Sequence, residues 1–377
     1  MPSERDEHLL GPGPKHILAL DGGGVLGVIE LAFLERIESL LKMRNCDDPD
    51  FRLSDWFDLV GGTSTGAIIA ACLALGMKVA DVTQLYFDLA PGAFRRKRWR
   101  ITGLTARFDA GPLARFLEQV FGDRTLESDE IRTALAIMAR RYDTGSPWLI
   151  SNNPRAPYWE DAADGSYKGN RHYRLAKVIR ASTAAPGLFR PERIQIAEGE
   201  AAGLFIDGGL SPYNNPSLAL LMLSQARAFG LQWKMGPENL SLISLGTGLY
   251  RHHPAQQDRP PLFAGELVMR ALMNALPDGQ LLTLTLLQWF GESPQPWQIN
   301  SEIGDLAGEV LGGRPLLRFQ RYDMPLEIPW LDKHLGRLFS DRELKDLRRI
   351  DDASRMRELH AMATAAAASQ VRLEHLL

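Results

Sequence analysis

The sequence predicts an α/β protein of three layers, with a mainly parallel sheet between helices. Two observations carry that expectation. A short apolar strand, a glycine turn and a helix follow one another twice within the first 76 residues. Further short apolar runs closed by glycine recur as far as residue 248. Strands and helices alternate in this way where parallel strands must be joined by helical crossovers.

The first run is HILAL at 16–20, of buried-strand length, ended by Asp21 and three glycines. Residues 25–43 then carry Leu26, Ile29, Phe33, Ile37, Leu40 and Leu41 at helical spacing. FDLV at 57–60 is a second strand, again ended by glycines, and a small-residue helix follows at 65–75. Strands are expected at 133–138 and 148–151, and a helix at 176–182 that stops before Pro186. A very short strand at 204–206 runs into Asp207, Gly208 and Gly209. LSLISL at 240–245 is closed by Gly246, Thr247 and Gly248. The polar segment 252–261, with three prolines, reads as a loop. Two apolar helical stretches at 262–276 and 280–290 are expected to be split by Pro277. The charged, alanine-rich end from 341 onward reads as a peripheral surface helix. The chain thus divides into a tail (1–14), one α/β domain (15–330) and a helical extension (331–377).

Composition narrows the function classes. The 377 residues are 45% hydrophobic and 24% charged, ordinary for a globular protein that can bury a large core. A net charge of -3 argues against a dedicated nucleic-acid binder. Cys46 and Cys72 form no Cys-x-x-Cys pair, so zinc and redox motifs are not indicated, and a reduced cytosolic protein is the simpler reading. The first 16 residues lack the apolar core of a signal peptide. The most apolar stretch, 59–77, is broken by Gly61, Gly62, Thr63, Ser64, Thr65 and Gly66, which argues against a membrane span. The expectation is a soluble, cytoplasmic protein whose membrane contact, if any, is peripheral. Its oligomeric state, homo-oligomer included, stays open.

Three glycine motifs carry the chemistry. Gly22, Gly23, Gly24 and Gly27 fit G-x-G-x-x-G between a strand and a helix. Such a loop can cradle a dinucleotide pyrophosphate, hold an oxyanion on its N–H groups, or simply turn the chain. Dinucleotide binding also wants a second strand ending in an acidic residue. Residues 44–50 (RNCDDPD) hold the acids but no strand. Gly62, Thr63, Ser64, Thr65 and Gly66 form G-x-S-x-G between an apolar strand and a small-residue helix, the setting of a nucleophile elbow. The alternative for Ser64 is a helix N-cap.

A nucleophilic serine needs a base. His334 follows Asp332, and His252 and His253 lie in the proline-rich loop, but these segments look like solvated surface. Asp207 is better placed, at the end of a strand where open α/β sheets bind ligands. It can take the serine proton directly. Read in isolation, Asp-Gly-Gly is also a turn.

Together the motifs resemble those of the patatin-like phospholipase family. In order they are DGGGVLG at 21–27, GTSTG at 62–66 and DGG at 207–209, with ASTAAP at 181–186 and Phe189 as a further similar segment. The resemblance covers residues 15–248. It implies Ser64 as nucleophile and Asp207 as base in a dyad, with N–H groups of Gly22, Gly23 and Gly24 as the oxyanion hole. Gly27, Gly62, Gly66, Gly208 and Gly209 are the remaining motif glycines. It implies neither metal nor cofactor, and a lipid acyl ester as substrate. One position departs from the pattern: Leu26 stands where the family has a basic residue thought to order the glycine loop. The basic run RRKRWR at 95–100 suits anionic head groups or a plain solvated loop, and 262–290 suits an acyl channel, a lid or a core helix. Alternatives are an effector phospholipase switched on by a nucleotide or protein partner, a catalytically weak scaffold, and a Ser-His-Asp esterase.

Overall fold

The computed structural model describes residues 3–93, 108–197, 199, 201–250 and 264–376, with backbone alone for 264–276. The basic run at 95–100 and the pair His252 and His253 lie outside the described residues. Among the described residues eight strands form one sheet: β1 (Lys15–Leu20), β2 (Leu59–Thr63), β3 (Ala134–Arg141), β4 (Ser146–Ser151), β5 (Glu192–Ile194), β6 (Gly203–Asp207), β7 (Leu240–Leu245) and β8 (Arg318–Tyr322). Pairing runs β5-β6-β3-β2-β1-β7-β8, with β4 also on β3. Strands β3, β2, β1, β7 and β8 are mutually parallel, and β4, β5 and β6 add the antiparallel pairs.

The helices are α1 (Glu4–Leu10), α2 (Val28–Arg44), α3 (Thr65–Ala74), α4 (Val79–Ala93), α5 (Ala110–Phe121), α6 (Leu175–Ser182), α7 (Ser217–Gln225), α8 (Ala264–Phe290), α9 (Ile328–Leu335), α10 (Asp341–Leu347) and α11 (Met356–Gln370). Strand β1 shows why there are three layers. Leu18 and Leu20 join a core with α2, α3 and α11, while Ile17 and Ala19 join a second core with α7 and α8. Alternate residues of a strand point to opposite faces, so a strand apolar throughout must be covered twice.

Two expectations change. Pro277 does not split the helix, and α8 runs through it. A proline removes one N–H bond and crowds one carbonyl, which strains a helix without having to end it. The C-terminal segment is not peripheral. Met356, Leu359, Met362, Ala363, Ala366 and Ala367 of α11 are buried, and α11 packs along α2. Its alanines make a face on which another helix can approach closely.

The parallel strands end in register, with Leu20 opposite both Gly62 and Leu245, and Leu245 opposite Tyr322. Their C-terminal ends therefore share one rim. An ion cluster crosses it. Arg321 of β8 donates to Asp21 after β1 at 2.7 Å, to Asp323 at 2.9 Å and to Ser244 of β7 at 2.8 Å. The Arg321 and Asp21 side chains are 0% and 2% exposed. A buried charge that loses its partner is costly, about 3–5 kcal/mol. Arg321→Met should therefore lower unfolding free energy by about 3 kcal/mol. A urea midpoint within error of the wild type would show that the cluster adds no stability.

Candidate active site

Ser64 and Asp207 are brought together by how three strands share edges. On β3, residues 134–138 pair with β2, and residues 139–141 pair with β6. Strand β4 covers residues 136–141 of β3, overlapping both, so β2 and β6 must lie on the same, opposite edge. They run toward each other. Thr63 stands opposite Met138 and Asp207 opposite Ala139. The residue after β2 thus meets the last residue of β6.

The elbow at Ser64 is strained, with φ 54° and ψ -118°. Positive φ is uncommon outside glycine, and such outliers persist only where surroundings enforce them. Here the backbone is close-packed: a Cβ on Gly62 would collide with the backbone of Gly66. The Ser64 N–H donates to Ser182 Oγ at 2.8 Å, and Ser182 in turn donates to the Met138 carbonyl at 2.6 Å. The Ser64 hydroxyl does not cap α3. It donates to Asp207 Oδ2 at 2.6 Å.

Asp207 is 4% exposed. Its Oδ1 accepts the Gly209 N–H at 2.7 Å, which leaves Oδ2 for the serine. Burial pushes its carboxyl up to about 6, against the pull of the Ser64 hydroxyl, the Gly209 N–H and the Arg180 charge. A carboxylate in that range is ionised at neutral pH yet basic enough to take a proton.

The glycine loop is anchored on both sides. The Gly22 N–H, expected among the oxyanion donors, instead donates to the Asn214 carbonyl at 3.0 Å. Its carbonyl accepts from Asn214 Nδ2 at 3.1 Å and Thr247 Oγ1 at 3.0 Å. Gly22 is therefore spent on holding the loop. The Gly23 N–H makes a longer bond, 3.2 Å, to Thr65 Oγ1. The Gly24 N–H has no acceptor among the described residues. Leu26 is buried and cannot play a basic residue's part. Asn214, Thr247 and the Arg321–Asp21 pair order the loop in its place. Sequence reading missed these three partners, along with Ser182's contact, because each acts across more than 100 residues of chain.

Ser64, Asp207 and the loop open on a cavity of about 300 Å³. Its inner wall is Ile68, Leu89, Ala90, Ala93, Leu113 and Phe189, all buried. Among the described residues no histidine lines it. His334 is exposed on α9, stacked on Trp330 with its Nδ1 at that residue's carbonyl. Among the described residues no helix is long and apolar enough to cross a membrane.

The chain is 32% identical over 234 residues to a cUMP-AMP-activated phospholipase of Escherichia coli, covering 62% of this chain and 65% of that protein. It is 29% identical over 236 residues to a cGAMP-activated phospholipase of Escherichia coli (strain TW11681), covering 61% of each. Patatin-03 of Solanum tuberosum is 26% identical over 250 residues, covering 62% of this chain and 60% of that protein. The chain thus spans less than two thirds of the length of these curated relatives. The family model described as patatin-like phospholipase matches residues 18–221, more than half of the sequence and all three glycine motifs. By that match, the chain belongs to the patatin-like phospholipase family.

Proposed function

We propose that this chain is a lipid acyl hydrolase of the phospholipase A or lysophospholipase kind, acting through Ser64 and Asp207. The observation that carries the reading is the 2.6 Å hydrogen bond from the Ser64 hydroxyl to Asp207 Oδ2 beside an apolar cavity. Asp207 takes the hydroxyl proton as Ser64 Oγ attacks the ester carbonyl carbon. The carbonyl electron pair moves to its oxygen, which the N–H groups of Gly23 and Gly24 receive. Collapse of that intermediate expels the alcohol, which leaves with the proton held on Asp207. Water then repeats the sequence on the acyl-enzyme and releases the fatty acid. The buried wall of Ile68, Leu89, Ala93 and Leu113 takes the acyl chain, since an apolar chain gains most where water is excluded. Ester lipids of this kind sit in membranes, so peripheral contact with a lipid surface is part of the proposal.

The dyad is tested by fatty-acid release from mixed phospholipid vesicles. Ser64→Ala and Asp207→Asn should each lower the rate by on the order of 10⁴-fold, while His334→Ala leaves it unchanged. Near-wild-type release by either dyad variant would overturn the scheme.

The base must be ionised to work, and its carboxyl is raised to about 6. Activity should therefore be lost as pH falls through that value and be flat above it. A kcat/KM profile flat down to pH about 4.5, where ordinary carboxylates titrate, would show that no raised carboxyl is used.

A second reading has one observation in its favour: the two Escherichia coli relatives are named for activation by a cyclic nucleotide. Under it the purified chain is silent alone and active with an added cyclic dinucleotide. Constitutive fatty-acid release rejects that reading.

A further inference from the structure

Part of the cavity wall comes from outside the family match. Ile350 lies beyond residue 221, in the turn between α10 and the short helix Ala353–Arg355, yet it lines the same cavity as Ser64. The lining grades from closed to open. Ile68 and Leu113 are 4% and 3% exposed, whereas Leu210 and Ile350 are 44% and 47% exposed. The two halves of an ester diverge from one carbonyl carbon. If the acyl half takes the closed end, the alcohol half points to the open end, where Ile350 stands.

Ile350 is held firmly for a half-exposed residue. Arg348 donates to the Leu326 carbonyl from Nε at 2.9 Å and from Nη2 at 2.7 Å. Its guanidinium lies 4.0 Å over the ring of Tyr250, itself a lining residue. Arg349 pairs with Asp352 at 3.0 Å across the turn. The Ile350 carbonyl accepts the Val25 N–H at 2.9 Å, which ties the turn to the glycine loop. Ile350, one of the residues that line the cavity, is therefore held there by a backbone that cannot easily swing away.

We propose that Ile350 is a specificity-determining residue for the alcohol half of the substrate. Its branched side chain narrows the open end, so the chain-free alcohol half of a lysophospholipid fits better than the alcohol half of a two-chain phospholipid, which still carries one acyl chain. This rests on the hydrolase reading given above.

The test uses Ser64→Ala protein, which binds without turnover. Fluorescent ether analogues of a lysophospholipid and of a two-chain phospholipid are titrated into it, alone and with Ile350→Ala or Ile350→Trp added. Both changes leave the carbonyl bond to Val25 in place. Ile350→Ala should raise two-chain binding relative to single-chain binding by about tenfold, and Ile350→Trp should lower it, because a few methylenes in a pocket are worth that much. A ratio that neither change moves overturns the inference while leaving the hydrolase reading intact. If the Ser64→Ala parent binds neither analogue, with or without an added cyclic dinucleotide, the hydrolase reading fails and this inference with it.

Discussion

The site depends on one constraint of sheet geometry: β2 and β6 occupy the same edge of β3 and end against each other. A parallel and an antiparallel strand on one edge approach from opposite directions. Their C-terminal residues must meet, and here the meeting point falls between Met138 and Ala139. Ser64 leaves one strand and Asp207 closes the other. No loop has to reach across for the pair to form, so the hydroxyl and the carboxylate are fixed by the same ladder that builds the core. The strained backbone at Ser64, of the kind that costs about 1–3 kcal/mol, is tolerable because Ser182 and the glycine contacts leave it no easier conformation.

Two groups of buried charge sit on this rim and are handled differently. Around Arg321 one guanidinium is shared by two carboxylates, Asp21 and Asp323, and by the Ser244 hydroxyl, while Asp323 also takes the N–H groups of Gly248 and Met324; burial pushes the Asp21 carboxyl up to about 6 as well. Asp207 is compensated without a direct ion pair. It has one backbone N–H and one hydroxyl, with Arg180 acting only through its field. Direct bonds to Arg321 make Asp21 part of a strut, whereas Asp207 has no guanidinium bonded to it and turns one oxygen to the serine hydroxyl, whose proton it can take. The strut holds the loop that faces the carboxylate.

Local sequence was informative where a single strand or turn makes its own case. HILAL, FDLV and LSLISL are mostly apolar because both faces are covered, and the glycines after them mark the rim. Strand β8, RFQRY, was not legible. Arg321 breaks its apolar pattern, and that charge is acceptable in a core because Asp323 and Asp21, the latter 300 positions away in the chain, both pair with it. The same reason hid Asn214 and Thr247, ordinary turn residues until the fold sets them on Gly22. Gly22 itself was misread for a related cause: a glycine motif offers three N–H groups, and only tertiary contacts decide which one is consumed. The alanine-rich end looked like surface because alanine says little about burial. Its partner α2 decides it.

The bond between the Val25 N–H and the Ile350 carbonyl joins positions far apart in the order of synthesis. A ribosome delivers the N-terminal part of a chain first, at about 5–20 residues per second. Strand β2, strand β6 and the glycine loop are all made before the turn that carries Ile350 exists. For some seconds a nascent chain holds the serine, the aspartate and an unfinished pocket mouth. Completion of the cavity mouth thus waits until residue 350 has been made, 143 positions after the aspartate.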